Sequence, residues 1–268
     1  MEYERKAEPI GRELVRRLLP RRDPEGHKGT FGKVLCLCGS VGYTGAPVFA
    51  SRGAVRSGAG LVFLGVPESI WPVAAVKSDE AMPFPLPEAE GRLSLLAEET
   101  IRRRAAGCDA VLLGCGLGRG RQTDALVRRL MDLPQPLVLD ADGINALAGH
   151  MDEWERRRGR VTVLTPHEGE FLRVGGDLSQ GRTAEAVVVL KGPGTVVAGP
   201  DGRCRVNTTG NCGMAKGGSG DVLSGVVLAL LGLGMDAFDA CCCAVWLHGR
   251  AGDLAAERLT PYGMTPED

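Results

Sequence analysis

The sequence predicts an α/β fold whose mostly parallel central sheet is covered by helices on both faces. Short aliphatic, β-branched runs alternate with segments of helix length, the pattern of successive βα units. Glycine is abundant, at 39 of 268 residues, while aromatics are scarce at 4%. That balance suits many tight strand-to-helix turns. No internal repeat or low-complexity linker divides the chain, so residues 1–268 are read as a single domain.

The elements follow in order. Residues 1–26 are polar and basic, with a short helix at 13–19. Residues 33–38 read as a strand that ends in the turn from Gly39 to Gly45; 46–57 read as a helix and 61–66 as the next strand. Pro67, Pro72, Pro83, Pro85 and Pro87 make 67–92 a loop excursion. A charged helix at 94–105 precedes strand 110–113, a second glycine turn, helix 123–131 and strand 137–139. Strands 161–164 and 187–190 follow, then 196–198 and 203–206 as a hairpin about Pro200-Asp201-Gly202, and finally helices at 221–231 and 239–257. Ligands of such sheets bind outside the carboxyl ends of the strands. The polar and glycine motifs fall at those ends.

A net charge of −1 gives no basic field for nucleic acid or an anionic membrane. No stretch reaches the ~18 apolar residues of a membrane span. The first six residues are charged rather than apolar, so a reduced, cytoplasmic protein is expected. The nine cysteines are then expected to be free and buried, with no zinc site. Cys241, Cys242 and Cys243, consecutive on one helix, point ~100° apart and cannot close a metal site. The thiols of Cys36 and Cys38 are expected on opposite sides of the sheet.

The densest signal is the glycine-rich run from Thr208 to Gly225, which opens directly into the apolar stretch 222–231. A glycine loop leading into a buried helix offers unpaired N–H groups and a positive dipole end to an anion. Asp221, where the glycines stop, is placed to take a proton from a hydroxyl beside a phosphate. Other motifs are weaker taken singly. Gly39-x-x-Gly42-x-x-Gly45 and Gly114-x-Gly116-x-Gly118 are not dinucleotide fingerprints, and no phosphate-binding Gly-x-x-x-x-Gly-Lys-Ser/Thr loop occurs. Asp140 and Asp142 hold Mg²⁺ or a hydroxyl, or Asp142 caps a helix. Pro166 aims His167 out of a strand end. Glu170 is a capping-box acid or a ligand to metal-bound water. Lys191-Gly192-Pro193-Gly194-Thr195 lays amides on a nucleotide or forms a hairpin turn.

Their order resembles one family. His27-Lys28-Gly29-Thr30-Phe31-Gly32-Lys33, Tyr43-Thr44-Gly45-Ala46-Pro47, Gly114-Cys115-Gly116-Leu117-Gly118, Asp140-Ala141-Asp142-Gly143-Ile144-Asn145, Thr165-Pro166-His167-Glu168-Gly169-Glu170, Lys191–Thr195, Gly213-Met214-Ala215-Lys216-Gly217-Gly218-Ser219-Gly220-Asp221 and Leu247-His248-Gly249 span nearly the whole chain. The chain is similar to the ADP/ATP-dependent NAD(P)H-hydrate dehydratases of the ribokinase-like superfamily. The resemblance implies a three-layer αβα sandwich. It also implies repair of hydrated NADH or NADPH, with ADP (or ATP) as phosphoryl donor, and Mg²⁺. Asp221 is then the catalytic base. Lys191, Gly192, Pro193, Gly194, Thr195, Gly217, Gly218, Ser219 and Gly220 take the nucleotide; Ala46, Gly116, Gly118, His167 and Asp221 take the hydrate; and Glu170 stands near metal-bound water. A homotetramer and a link to a separate NAD(P)H-hydrate epimerase are also implied, since no epimerase domain precedes the dehydratase. Three features depart from the family pattern. Cys115 replaces its usual proline, the span 171–187 is about a helix short, and the chain stops where relatives continue into a last helix. A small-molecule kinase of the same superfamily, or a non-catalytic nucleotide-binding module, shares the glycine loop.

Overall fold

The computed structural model describes residues 7–178 and 185–268. Ten strands form one sheet: β1 (Glu8–Ile10), β2 (Lys33–Leu37), β3 (Leu61–Pro67), β4 (Met82–Leu86), β7 (Ala110–Leu113), β8 (Leu137–Leu139), β9 (Thr162–Leu164), β10 (Val187–Leu190), β11 (Val196–Ala198) and β12 (Cys204–Asn207). A two-stranded hairpin, β5 (Glu88–Ala89) and β6 (Arg92–Leu93), stands apart. The order across the main sheet is β1-β12-β11-β10-β9-β8-β7-β2-β3-β4. Every neighbouring pair is parallel except the two that involve β11.

Alternation along each strand supplies two cores. Val34, Cys36, Leu64, Leu112, Val138, Val163 and Val189 face one side. They meet α2 (Gly45–Arg56), α8 (Ser219–Gly232) and α9 (Ala237–Gly263). Leu35, Leu37, Leu113, Leu139 and Val188 face the other. There they meet α4 (Glu98–Ala105), α5 (Arg121–Arg129), α6 (Asp142–Asn145) and α7 (Glu168–Arg173). The three-layer sandwich expected from the sequence is thus observed. Cys36 and Cys38 lie in the same core rather than on opposite faces; residues two apart in a strand point the same way.

The proline-rich excursion departs from expectation. It contains α3 (Trp71–Lys77), with proline in its first turn, and strand β4. A first-turn proline loses no helical bond, and β4 is an edge strand, where missing N–H groups at Pro83 and Pro85 are tolerated. Strand β1 and a longer α9, kinked at Thr260 before Pro261, were likewise not expected. Helix α1 (Arg12–Leu18) lies where one was expected. The span 171–187 falls partly outside the described residues.

The strand order reverses at β2. From it the chain steps to β3 and β4 on one side, and through β7, β8, β9 and β10 on the other. The crevice at that reversal is where ligands of open α/β sheets bind.

Candidate active site

Helix α8 enters this crevice from the glycine loop. Its N-cap, Gly218, has φ +103°, and a Cβ there would stand 2.7 Å from the Phe49 ring, so both conformation and space demand glycine. Ser219, Gly220 and Asp221 form the first turn. Residues 223–232 are buried throughout, so apolar packing fixes the axis along which the first-turn N–H groups point. In front of them lies a cleft of about 650 Å³, lined by Lys191, Gly192, Pro193, Gly194, Thr195, Asn207, Thr209, Asn211, Ser219, Gly220 and His248. Seven of the residues expected around a nucleotide therefore share one cavity: Lys191 to Thr195, Ser219 and Gly220. Gly217 and Gly218 do not line it; they shape the turn behind it. The segment Lys191–Thr195 also joins antiparallel β10 and β11, so the hairpin-turn reading holds alongside.

Beside Asp221 lies the loop after β7, whose Cys115 is within hydrogen-bonding reach of the Asp221 carboxylate. Gly116 has φ +63°, and a Cβ there would lie 2.8 Å from that of Ala46 and 3.0 Å from that of Tyr43. Gly118 donates its N–H to Asp142 at 2.9 Å. Tyr43 is 60% exposed at this lip. Gly116 is thus packed against Ala46 and Tyr43, whereas Gly118 is packed against Arg92 and Ser40. His167 stands at the N-cap of α7, its side chain about half exposed. It closes a capping box with Glu170: Glu170 N–H donates to His167 Nδ1 at 3.3 Å, and His167 N–H donates to Glu170 Oε2 at 2.9 Å. The capping-box reading of Glu170 therefore holds.

At the centre sits Asp140, 1% exposed at the end of β8. Its Oδ1 accepts from Lys191 Nζ at 2.7 Å and from Ala141 N–H at 2.9 Å. Its Oδ2 accepts from Ser224 Oγ at 2.9 Å and from the Cys115 thiol at 3.5 Å. Asp140 and Asp142 thus both accept hydrogen bonds from protein donors, and the N-cap position of α6 is Ala141 rather than Asp142. Potential metal-binding atoms of Cys115, Asp140 and Asp221 lie within 4.8 Å of one another. Burial and the neighbouring Asp140 push Asp221 up to about 6, against the Cys115 hydrogen bond and the Lys191 charge. Burial pulls Lys191 down, but Asp140 beside it outweighs this and holds it above the ordinary lysine value. Burial pushes His248 down to about 4, in spite of a hydrogen bond to the Ser219 backbone.

Sequence reasoning gave no role to Ser224, Thr165, Asn207 or His248. Ser224, a lone hydroxyl three residues after Asp221 in an apolar run, was the available signal. Its Oγ lies 3.2 Å from Thr165 Oγ1.

With this geometry in place, comparison with known proteins decides the family. Residues 34–268 match the NAD(P)H-hydrate dehydratase family model. This chain belongs to the NAD(P)H-hydrate dehydratase family. The dehydratase-family chain is 42% identical over 265 residues to a bifunctional NAD(P)H-hydrate repair enzyme of Moorella thermoacetica, covering 93% of this chain and 50% of the relative. The chain thus spans about half the length of that relative. It is 38% identical over 268 residues to the ADP-dependent (S)-NAD(P)H-hydrate dehydratase of Bacillus subtilis, covering 94% and 91%. The crystal structure of the ADP/ATP-dependent NAD(P)H-hydrate dehydratase of B. subtilis, co-crystallized with ATP/Mg²⁺, superposes with a TM-score of 0.80 at 33% identity, covering 97% of this chain and 94% of that one. The dehydratase-family sheet and its two helical layers are the ribokinase-like sandwich.

Proposed function

We propose that this chain restores NADH or NADPH from the S form of their hydrates, using ADP as phosphoryl donor and Mg²⁺. The observation that carries this is the position of Asp221. It lies next to Gly220 of the cleft and within hydrogen-bonding reach of Cys115 in the loop after β7, and burial raises its proton affinity. A hydroxyl lodged between Ala46, Gly116 and Asp221 gives its proton to Asp221 while its oxygen attacks the terminal phosphorus of ADP. The bond to AMP breaks, and the α8 N–H groups hold the moving phosphoryl oxygens. The ring nitrogen then expels phosphate, a far better leaving group than hydroxide, and the adjacent ring carbon loses a proton to solvent, which re-forms the ring double bond. Mg²⁺ carried on the nucleotide phosphates neutralises charge there. Glu170 Oε2 accepts from the His167 N–H and Oε1 stands 3.5 Å from His167 Nε2, so a place near metal-bound water rests on the family resemblance alone.

The B. subtilis and Moorella relatives support the substrate class and the donor by their names. A single-domain arrangement, a homotetramer, a cytoplasmic setting and a functional link to an NAD(P)H-hydrate epimerase belong to the same proposal; the bifunctional Moorella relative supports the link. The test is to incubate the protein with NADH hydrate, Mg²⁺ and either ADP or ATP. Absorbance of reduced nicotinamide and free phosphate should rise together, faster with ADP. A stable phosphate ester without recovered NADH would make the protein a kinase, and faster turnover with ATP would overturn the donor.

A further inference from the structure

We propose that Asp140 is a positioning residue: its buried carboxylate ties the base-bearing helix to the nucleotide loop and holds a negative charge against Asp221. The inference rests on the dehydratase reading above and gives a role to a group in that site which the reading leaves unused. Three separate elements converge on this one carboxylate. Ser224, one turn beyond Asp221 on α8, donates to Oδ2 at 2.9 Å. Lys191, which opens the nucleotide-lining segment, donates to Oδ1 at 2.7 Å. Cys115, between Gly114 and Gly116 of the substrate loop, donates its thiol to Oδ2 at 3.5 Å. A Cβ at Gly220 would lie 3.3 Å from Lys191 Nζ, so the ammonium stands beside the helix turn that receives the phosphates. A shift of any of the three elements is thereby felt by the other two.

The cluster is built for a proton rather than a metal. The Lys191 ammonium already pairs with Asp140, and Cys115 acts as a thiol donor. A hydrogen bond with Cys38, burial and the nearby carboxylates hold the Cys115 thiol well above its usual range. The charged groups facing Asp221 are Asp140 from β8, Lys191 from β10 and Cys115 from the β7 loop. Glu170 of α7 acts on Lys191. Helix α9 offers His248, kept neutral by burial, and α2 offers Arg52, paired with Glu267, behind the helix. Asp140 and Lys191 thus act on Asp221 with opposite signs. Removing one should move Asp221 one way, and removing the other should move it the opposite way. A merely structural pair would not.

The experiment uses full-length wild type, Asp140→Asn, Lys191→Met and Ser224→Ala. The Asp221 carboxyl is titrated by carbon-13 NMR, assigned by its loss in Asp221→Asn, and turnover of NADH hydrate with ADP and Mg²⁺ is followed across pH. Asp140→Asn should lower the Asp221 midpoint and the acid limb of turnover by about one unit or more, and Lys191→Met should raise both by a similar amount. Ser224→Ala should lower kcat about tenfold with the midpoint unmoved. Midpoints that stay put, or that move the same way in Asp140→Asn and Lys191→Met, overturn the proposal. If Asp140→Asn does not fold, an unmoved midpoint in Lys191→Met overturns it alone. The NMR titration needs no turnover, so a wild type inactive on the hydrate would sink the dehydratase reading while leaving the charge coupling separately measured.

Discussion

A carboxylate in the first turn of a helix faces the positive end of the dipole, which favours its charged form. Asp221 is nonetheless pushed up to about 6, because burial and Asp140 outweigh the thiol and the ammonium. A base must be deprotonated to work, and the deprotonated fraction grows as pH rises through that value. Turnover should therefore climb through about pH 6 and level off above it. A rate that stays flat well below pH 6 would contradict this. Cys212 is the second residue with a consequence. It is exposed and lines the nucleotide cleft, which corrects the expectation that all the thiols are buried, while Cys36, Cys38, Cys108, Cys115 and Cys241 to Cys243 are buried. Brief alkylation of unreduced native protein should modify Cys212 first, ADP should protect it, and mass spectrometry should find no disulfide and no zinc. A faster-reacting buried thiol or a stoichiometric metal would overturn that assignment. Asp221 was legible at this scale because glycine spacing and an apolar run announce it. The role of Asp140 was not, because Lys191 and Ser224, which define it, are distant in sequence and meet the carboxylate only across the sheet.

Among the elements, α2 packs closely against α8, the helix that carries Asp221. They approach closely enough that a Cβ at Gly225 would collide with the Ala50 carbonyl oxygen, and one at Gly53 would reach 2.6 Å from that of Val222. Gly225→Ala should therefore cost about 1–3 kcal/mol, despite the gain in helix propensity, because backbone must move apart. Denaturant unfolding checks this; an equally or more stable variant would show that the two helices are not in such contact. The buried strands and α8 could be read from the chain to within a few residues, since each carries a continuous aliphatic run, whereas α9 runs six residues past its expected end. The 67–92 segment could not. Its prolines argue against a strand by composition, and only pairing at the sheet edge makes β4 possible. Strand β1, of three residues, has too few side chains to carry a periodic signal.

For the whole molecule, one reversal of strand order gathers loops from several parallel strands around a single crevice. The cleft lined by Lys191 to Thr195 and the first turn of α8, proposed for the nucleotide, and the Gly116 loop beside Ala46, proposed for the hydrate, flank Asp221. The order of the motifs foretold this gathering, whereas the distances between them awaited the fold. Among the described residues no helix is long and apolar enough to cross a membrane. The central claim is that Asp221 carries the proton transfer rather than serving only as a first-turn acid at the positive end of α8. Asparagine keeps the shape of aspartate but accepts no proton in this role, and loss of a first-turn charge costs a helix only ~0.3–1 kcal/mol. The decisive measurement is turnover of NADH hydrate by Asp221→Asn, alongside its affinity for ADP. The account predicts a loss of roughly 10²–10⁴ in kcat with ADP affinity retained or tightened; turnover close to that of the wild type would contradict it.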